Sequence, residues 1–544
     1  MITSRVSIFS RRALFISFLF VLIFVLLILR FFYLKIYEDK FLDDQISSRF
    51  ISEKFLLAQR GRIIDRNNNV LAFDVGSYSV GLDLSKFKAD KEIIENLSEL
   101  LDLDEEFLTK KIEKKKGYIE IKKHISVDTQ KKLNQLVKNG IFFKENLRRS
   151  YPQKHISAHV VGITDTDRKG LQGVELVLNE KLRGKPGRYI KSGIGRDRVV
   201  SKEGETVRLT IDIRLQSIAY EELRRAVIKT EASSGSIILV DTDSADILAL
   251  TNFPSFDPSN RKNIQDLSVF RNRATLDTFE PGSVIKPLAM SAILDSKKFD
   301  SSFKVDTSPG WIEIGGYRTK DFKNYGNLNL TEIISNSSNV GMIKLCTDQE
   351  SSHLMKYYSN FGLGRYPTNI LIPSREGFLP LGTELKLRDK VSSCYGYGIS
   401  MTGLQVAQAY LVFAKEGIFR ELNLFLDDNV TGLNEQRRVL SIETAKEINK
   451  MLIQTVQSKS GTAKRAKISG IMIAGKTGTA QKEEKEGRSY TATFSGFAPA
   501  LQPKILAVVV LHGLKGKDHS GGSVAAPVFS KIISQSLNIL EIEI

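Results

Sequence analysis

The most uneven stretch of the chain is a run without charge from Ala13 to Leu29 (ALFISFLFVLIFVLLIL), broken by Arg30 and continued by Phe31, Phe32 and Tyr33. A helix needs about 17 to 25 apolar residues to cross a bilayer, and this run suffices when Arg30 carries its charged head to an interface. A cleaved signal peptide has a shorter apolar core and a small-residue cleavage site; here Leu34, Lys35 and Ile36 follow. The pattern predicts an uncleaved anchor over residues 13–34 behind a short tail, 1–12. Arg5, Arg11 and Arg12 precede the run, while Arg30 and Lys35 after it are soon offset by Glu38 and Asp39. Positive charge favours the cytoplasmic side, so the tail is expected inside and the rest of the 544 residues outside.

From about residue 35 to 205 the pattern changes often. Strand-like pieces such as Tyr78–Leu84 alternate with Lys-rich helix, and Lys110–Lys116 reads as a solvated helix face, without the aromatic interleaving of a nucleic-acid site. The stretch predicts an elongated, mixed α+β module, with Lys181–Lys202 as a connector. From 206 onward the periods lengthen. Ile213–Lys229 has apolar residues at helical spacing, and Ser236–Leu250 reads as two strands around a polar turn. Gly470–Ala474, Tyr490–Phe497 and Ile505–Leu511 are three further strands, and Ala525–Leu540 is a closing helix. Strands at both ends with helices between predict one sheet built from the two ends of 206–544, with a helical lobe over about 255–465. The fold class is α+β.

Composition narrows the reading. Hydrophobic residues make up 42% and there are 39 Gly and 13 Pro, so most of the chain folds, and collagen-like or low-complexity polymers are excluded. A net charge of +17 leaves nucleic acid or an anionic membrane surface open as partners. Two cysteines build neither a disulfide framework nor a four-thiolate zinc site. Cys346 and Cys394 stand in apolar surroundings; they read as two buried thiols or as a disulfide, and spacing alone does not argue the bridge.

Three short motifs carry candidate chemistry. In Pro281-Gly282-Ser283-Val284-Ile285-Lys286 the glycine frees the backbone, and Pro287 fits only near a helix start. Ser283 is thereby placed near a first turn, with Lys286 one turn along the same face. A serine hydroxyl needs a base to become a nucleophile, and a lysine serves once burial and another cation lower its pKa. Ser337-Ser338-Asn339 follows the helix-like Leu330–Ser335 and by itself suits a cap or turn. Lys476-Thr477-Gly478-Thr479 follows an apolar strand; Gly478 lets a substrate approach the strand edge, Lys476 supplies charge, and the threonines supply hydroxyls for a carboxylate.

Gly470 to Thr477 also fits the phosphate-loop pattern, and Ile237–Asp241 looks like a strand ending in a magnesium-binding carboxylate. The intervening positions are strand-like, however, and the following AQKEEKEGR is unlike a packed helix. His155 and His159 have the i, i+4 spacing of zinc ligands on a helix, but Ile156, Val160 and Val161 look strand-like; independent histidines are the expectation, and no metal site.

Ser-x-x-Lys, Ser-x-Asn and Lys-Thr-Gly in that order are far more specific than any one alone, and they resemble the signature of penicillin-binding proteins and serine β-lactamases. Arg60-Gly61-Arg62-Ile63-Ile64-Asp65-Arg66 resembles an element of the class B penicillin-binding proteins, as do Tyr151-Pro152, Ala158 to Gly162 and Gly170 to Glu175. Phe279-Glu280 before the first motif, Tyr395 to Gly398 and Val524 to Phe529 are similar to the division-type members. The resemblance implies a non-catalytic pedestal over 35–205 and a transpeptidase domain over 206–544, with an antiparallel sheet flanked by helices plus a helical lobe. It implies that Ser283 attacks the D-alanyl-D-alanine end of a peptidoglycan stem peptide, Lys286 is the base, and Ser337 relays a proton. Asn339, Lys476, Thr477, Gly478 and Thr479 would bind substrate, and the amides of Ser283 and Thr479 would form the oxyanion hole. It further implies inhibition by β-lactams, no metal or nucleotide cofactor, and an FtsW-type membrane polymerase and other division proteins as partners at the septum. An elongation-type relative, a β-lactamase and a silent membrane-anchored scaffold are the alternatives.

Overall fold

The computed structural model describes residues 3–37, 52–113, 117–135, 140–192, 195–261, 264–299, 302–380, 384–426, 436–484 and 487–542. Glu38, Asp39 and the end of the Lys110–Lys116 run lie outside them. The chain divides into two compact units, one of residues 1–59 with 184–203 and one of 60–183 with 204–544.

In the first unit the helix Thr3–Tyr37 contains a 23-residue apolar stretch, Arg12–Leu34, long enough to cross a membrane. The same unit holds a three-stranded antiparallel sheet in which Gly187–Ser192 is central, between Ser52–Leu56 and Gly195–Val199. The segment expected as a plain connector is therefore a paired hairpin.

In the second unit the residues before 184 form a mixed module. Val70–Asp83 is a long strand flanked by Tyr118–Ile125 and Ile141–Ser150, over a small core that includes Val80, Leu82, Leu97, Leu108 and Ile121. A few of its charged side chains are buried and tied together. Arg60 Nε and Arg149 Nε donate to the two oxygens of Glu175, each at 2.6 Å, and Asp74 accepts from Arg149 at 3.3 Å and Arg168 at 2.6 Å. Arg60 and Glu175 stand in two of the segments that resemble class B elements, and both side chains are buried as partners of one ion pair. Ile156, Val160 and Val161 lie in short helical turns, not strands. His159 Nε2 faces the Val269 carbonyl at 2.8 Å and burial lowers its pKa to about 4, whereas the His155 ring packs on Tyr220. The two histidines thus serve different neighbours, and no metal-binding group of His, Cys, Asp and Glu occurs among the described residues.

The remainder is built on a five-stranded antiparallel sheet. We label its strands β1 (Ser234–Asp241), β2 (Ile247–Phe253), β3 (Ala474–Glu484), β4 (Gly487–Ala498) and β5 (Ile505–Leu514). Their spatial order is β2-β1-β5-β4-β3, so the two ends of the domain interleave in one sheet. Ile237 and Leu239 of β1, with Ala507 and Val509 of β5, face α1 (Ile213–Thr230) and the closing helix Ala526–Ile539. Ile238, Val240, Val508 and Val510 face the opposite way, into the lobe. Both faces are covered, which is why ILAVVVL is apolar without alternation.

The lobe supplies α2 (Lys286–Asp295), α3 (Leu330–Ser335), α4 (Asn339–Thr347), α5 (Leu387–Ser393), α6 (Gly403–Ala414) and α7 (Ile442–Gln457). Every residue of α6 is buried, in keeping with its lack of a polar face. Among the described residues the lobe also carries four short two-stranded ladders, including the hairpin of Trp311–Ile314 with Tyr317–Lys320. Cys346 of α4 and Cys394, which caps α5, form a buried disulfide 48 residues apart in sequence, the pairing that the sequence left open. Spacing cannot reveal such a pair, because helix packing alone brings the two ends together.

Candidate active site

Ser283 lies in a tight turn, Gly282–Ile285, that runs straight into α2. Gly282 has φ +55°, and a Cβ there would meet the Thr479 carbonyl oxygen at 2.9 Å, so both backbone and neighbouring strand demand glycine. Lys286 is the first residue of α2, and Pro287 beside it sacrifices no helix hydrogen bond.

Ser337 occupies the corner between α3 and α4 with φ +59°. Ser338 caps α4 by accepting from the Gly341 amide at 2.9 Å, as a Ser in that position should. Asp321 clamps the same helix start from another segment. Its carboxylate accepts from Ser338 Oγ at 2.5 Å and from the amides of Asn339 and Val340 at 2.5 and 3.1 Å. Asn339 Nδ2 donates to the Lys320 carbonyl at 3.1 Å, which aims its Oδ1 at Lys286.

The third motif lies within β3 rather than beyond a strand that ends at Ala474. Ala474 opens β3, and Lys476, Thr477, Gly478 and Thr479 pair with Ser495, Phe494, Thr493 and Ala492 of β4. A Cβ on Gly478 would meet the Pro281 carbonyl at 2.7 Å. Gly478 therefore admits the Ser283 turn itself against the sheet edge. The strand continues through the polar residues after the motif and opens no helix. The phosphate-loop reading accordingly lacks the helix N-terminus that holds a phosphate, and Asp241 sits on β1, separated from β3 by two strands.

The three motifs converge on Ser337. Lys286 Nζ donates to the Ser337 carbonyl at 2.6 Å, to Ser337 Oγ at 3.3 Å and to Asn339 Oδ1 at 2.7 Å. Lys476 Nζ donates to the same Ser337 Oγ at 2.9 Å. Both lysines are fully buried. Burial lowers Lys286 to about 7 against the pull of Asp321, and burial together with Lys286 pushes Lys476 well down. Two neighbouring buried ammonium groups each disfavour the charge of the other. Burial and Lys286 thus both work against the positive charge expected of Lys476, and a neighbouring anion would favour it.

Above these buried amines lies a cleft of about 630 Å³ whose lining includes Ser283, Ser337, Asn339, Thr477 and Thr479. Thr477 Oγ1 is hydrogen-bonded to Thr462 Oγ1 at 3.1 Å, and Thr479 Oγ1 accepts from the Gly521 amide at 3.0 Å. Sequence reasoning passes over Asp321, Thr462, Ser520 and the exposed Phe322, all of which contribute here. Asp321 stands 17 residues before Ser338, and no local period links them. A second cavity of about 620 Å³ lies beside α1 and the closing helix, but it holds none of the three motifs.

A buried lysine one turn from a serine, a second lysine on a strand edge and a hydroxyl shared between them define a serine acyl-transfer enzyme of the kind that penicillins recognise. Residues 235–534 match the penicillin binding protein transpeptidase domain, and 56–208 match the penicillin-binding protein dimerisation domain. The chain is 33% identical to peptidoglycan D,D-transpeptidase FtsI of Escherichia coli (strain K12), over 89% of this chain and 84% of that one. It is 33% identical to the probable peptidoglycan D,D-transpeptidase PbpC of Pseudomonas aeruginosa, over 89% and 87%, and 31% identical to PenA of Neisseria gonorrhoeae, over 91% and 87%. A peptidoglycan synthetase of Bifidobacterium adolescentis shares the fold, with a TM-score of 0.71 at 24% identity over 90% of this chain and 97% of that one. The chain belongs to the penicillin-binding protein transpeptidase family.

Proposed function

We propose that this protein is a peptidoglycan D,D-transpeptidase that cross-links stem peptides of the septal wall and is inhibited by β-lactams. The observation that carries the reading is the convergence of Lys286 and Lys476 on Ser337 Oγ beside the Ser283 turn. Neutral Lys286 takes the proton of Ser283 Oγ as it attacks the carbonyl carbon between the two D-alanines. The oxyanion is received by the amides of Ser283 and Thr479, each such donor contributing about 100- to 1000-fold in rate. Because both lysines donate to Ser337 Oγ, the Ser337 hydroxyl hydrogen is left to point outward. It passes to the nitrogen of the departing D-alanine and is replaced from a lysine. An amine of a second stem then attacks the ester, a bond forms between strands, and Ser283 Oγ regains its proton. Asn339 binds the substrate backbone and holds Lys286. Thr477 and Thr479 take the terminal carboxylate, with Lys476 beneath them supplying charge.

The relatives named FtsI favour a division role over an elongation role. We further propose that residues 35–205 form the pedestal and 206–544 the catalytic domain. The N-terminus is cytoplasmic, the bulk lies outside the inner membrane at the septum, and an FtsW-type glycosyltransferase with other division proteins supplies and directs the nascent strands. The test is covalent labelling. Intact-mass analysis after exposure to benzylpenicillin should show one added drug, mapped to Ser283 and absent in Ser283→Ala. Rapid drug turnover with no lasting adduct would favour a β-lactamase, no adduct would favour a silent scaffold, and labelling of Ser337 with Ser283 unmodified would overturn the assigned roles.

A further inference from the structure

The disulfide joins two segments that support active-site residues and that no other covalent link connects except the long intervening chain. One is α4, which begins at Asn339 and reaches Cys346 in its last turn. The other is the segment that starts at Cys394. Two residues on, the Gly396 carbonyl accepts from the Gly282 amide at 3.1 Å, immediately before Ser283. Gly398 donates its amide to Glu280 at 3.0 Å, and Tyr395 Oη meets Thr319 Oγ1 at 3.3 Å on the hairpin whose Lys320 carbonyl holds Asn339. The serine turn and the Asn339 clamp on Lys286 are thus braced through one sulfur–sulfur bond, both of whose cysteines are fully buried.

We propose that the Cys346–Cys394 disulfide is a positioning element for acylation, so that the oxidised chain is the competent enzyme and the dithiol form is impaired. The inference rests on the transpeptidase reading. Without the bond, α4 and the Gly396 segment shift independently, and a displacement of about 1 Å at a reacting centre costs up to about 100-fold. The bond also keeps Asn339 packed on Lys286. Loosening it admits water to the buried amine, which raises the pH at which the amine loses its proton.

The experiment uses the full chain in detergent, comparing wild type with the Cys346→Ala/Cys394→Ala double variant and with Leu97→Ala. Leu97 lies in the separate core under helix Lys91–Leu101, so its variant controls for lost stability alone. Wild type kept reduced by a water-soluble phosphine gives a second route to the broken bond, should the double variant fail to fold. In that reaction phosphorus gives two electrons to the disulfide and takes its oxygen from water, and the water protons end on the two thiols. Denatured wild type should take up two alkylating groups only after reduction. Penicillin acylation should fall by about tenfold or more in the double variant and the reduced chain, with the pH midpoint moved upward, and should return on reoxidation. Leu97→Ala should leave rate and midpoint alone. Alkylation without reduction, a wild-type rate in the bond-free forms, or an equal loss in Leu97→Ala would each overturn the proposal. A wild-type chain that forms no adduct at all would instead remove the transpeptidase reading.

Discussion

At the scale of single residues, Lys286 decides when the enzyme works. Its amine must be neutral to accept the serine proton, and burial brings its pKa from the ordinary 10.5 to about 7. Below that value the amine is protonated and cannot act, so the acylation rate constant should fall about tenfold per pH unit and level off above it. A stopped-flow profile with a fluorescent penicillin from acid to alkaline pH checks this, and a flat profile would remove Lys286 as the base. Lys286→Arg keeps a permanent charge and should lower the plateau by about 100-fold or more. The same burial links folding to protons. Between about 7 and 10.5 the unfolded chain holds a proton that native Lys286 has shed, so this group's contribution to stability rises with pH through that window.

At the scale of elements, the serine turn is held by contacts between backbones. The chain at Gly396 has φ +94°, and a Cβ there would lie 2.1 Å from the Gly282 carbonyl oxygen, a distance no rotamer change relieves. Gly396→Ala must therefore move either its own segment or the turn that carries Ser283. The left-handed conformation alone costs about 1 to 2 kcal/mol for alanine. The variant should melt earlier and, measured well below its melting temperature, acylate much more slowly than wild type. Normal acylation kinetics in Gly396→Ala would show that the turn is positioned by the sheet edge alone. How far the elements were readable follows the same division. The β5 strand and α1 announce themselves by local periodicity, whereas the extent of β3 does not. Its polar second half is held by pairing with β4, a tertiary matter that overrides a low intrinsic strand propensity.

At the scale of the whole molecule, the proposed topology puts the N-terminal tail and the residues after the apolar helix on opposite sides of a membrane. Arg5, Arg11 and Arg12 before the apolar run favour retention of the tail inside. A reporter that functions only outside the cytoplasmic membrane, fused after Ile544, should be active. Activity of a cytoplasm-only reporter at the same point would reverse the topology. An outside location also suits the disulfide, since bonds of this kind persist in oxidising compartments.

The sequence by itself determined the membrane helix, the doubly buried strands and the three motifs, because each depends on residues within a few positions of one another. It also placed Ser283 and Lys286 correctly one turn apart, since Gly282 and Pro287 fix that turn locally. Only the tertiary structure decided that Lys286 and Lys476 meet over one hydroxyl. The contact joins Ser337 to a residue 139 positions away, on a strand whose own register is set by β4. The Asp321 clamp, the buried Glu175 pairs, the separate roles of His155 and His159 and the Cys346–Cys394 bond are of the same kind. In each, side chains far apart in sequence find one another because burial penalises an unpaired polar or charged group, or because packed helices bring two sulfurs within bonding reach. No local pattern of residues encodes which distant partner will satisfy that requirement.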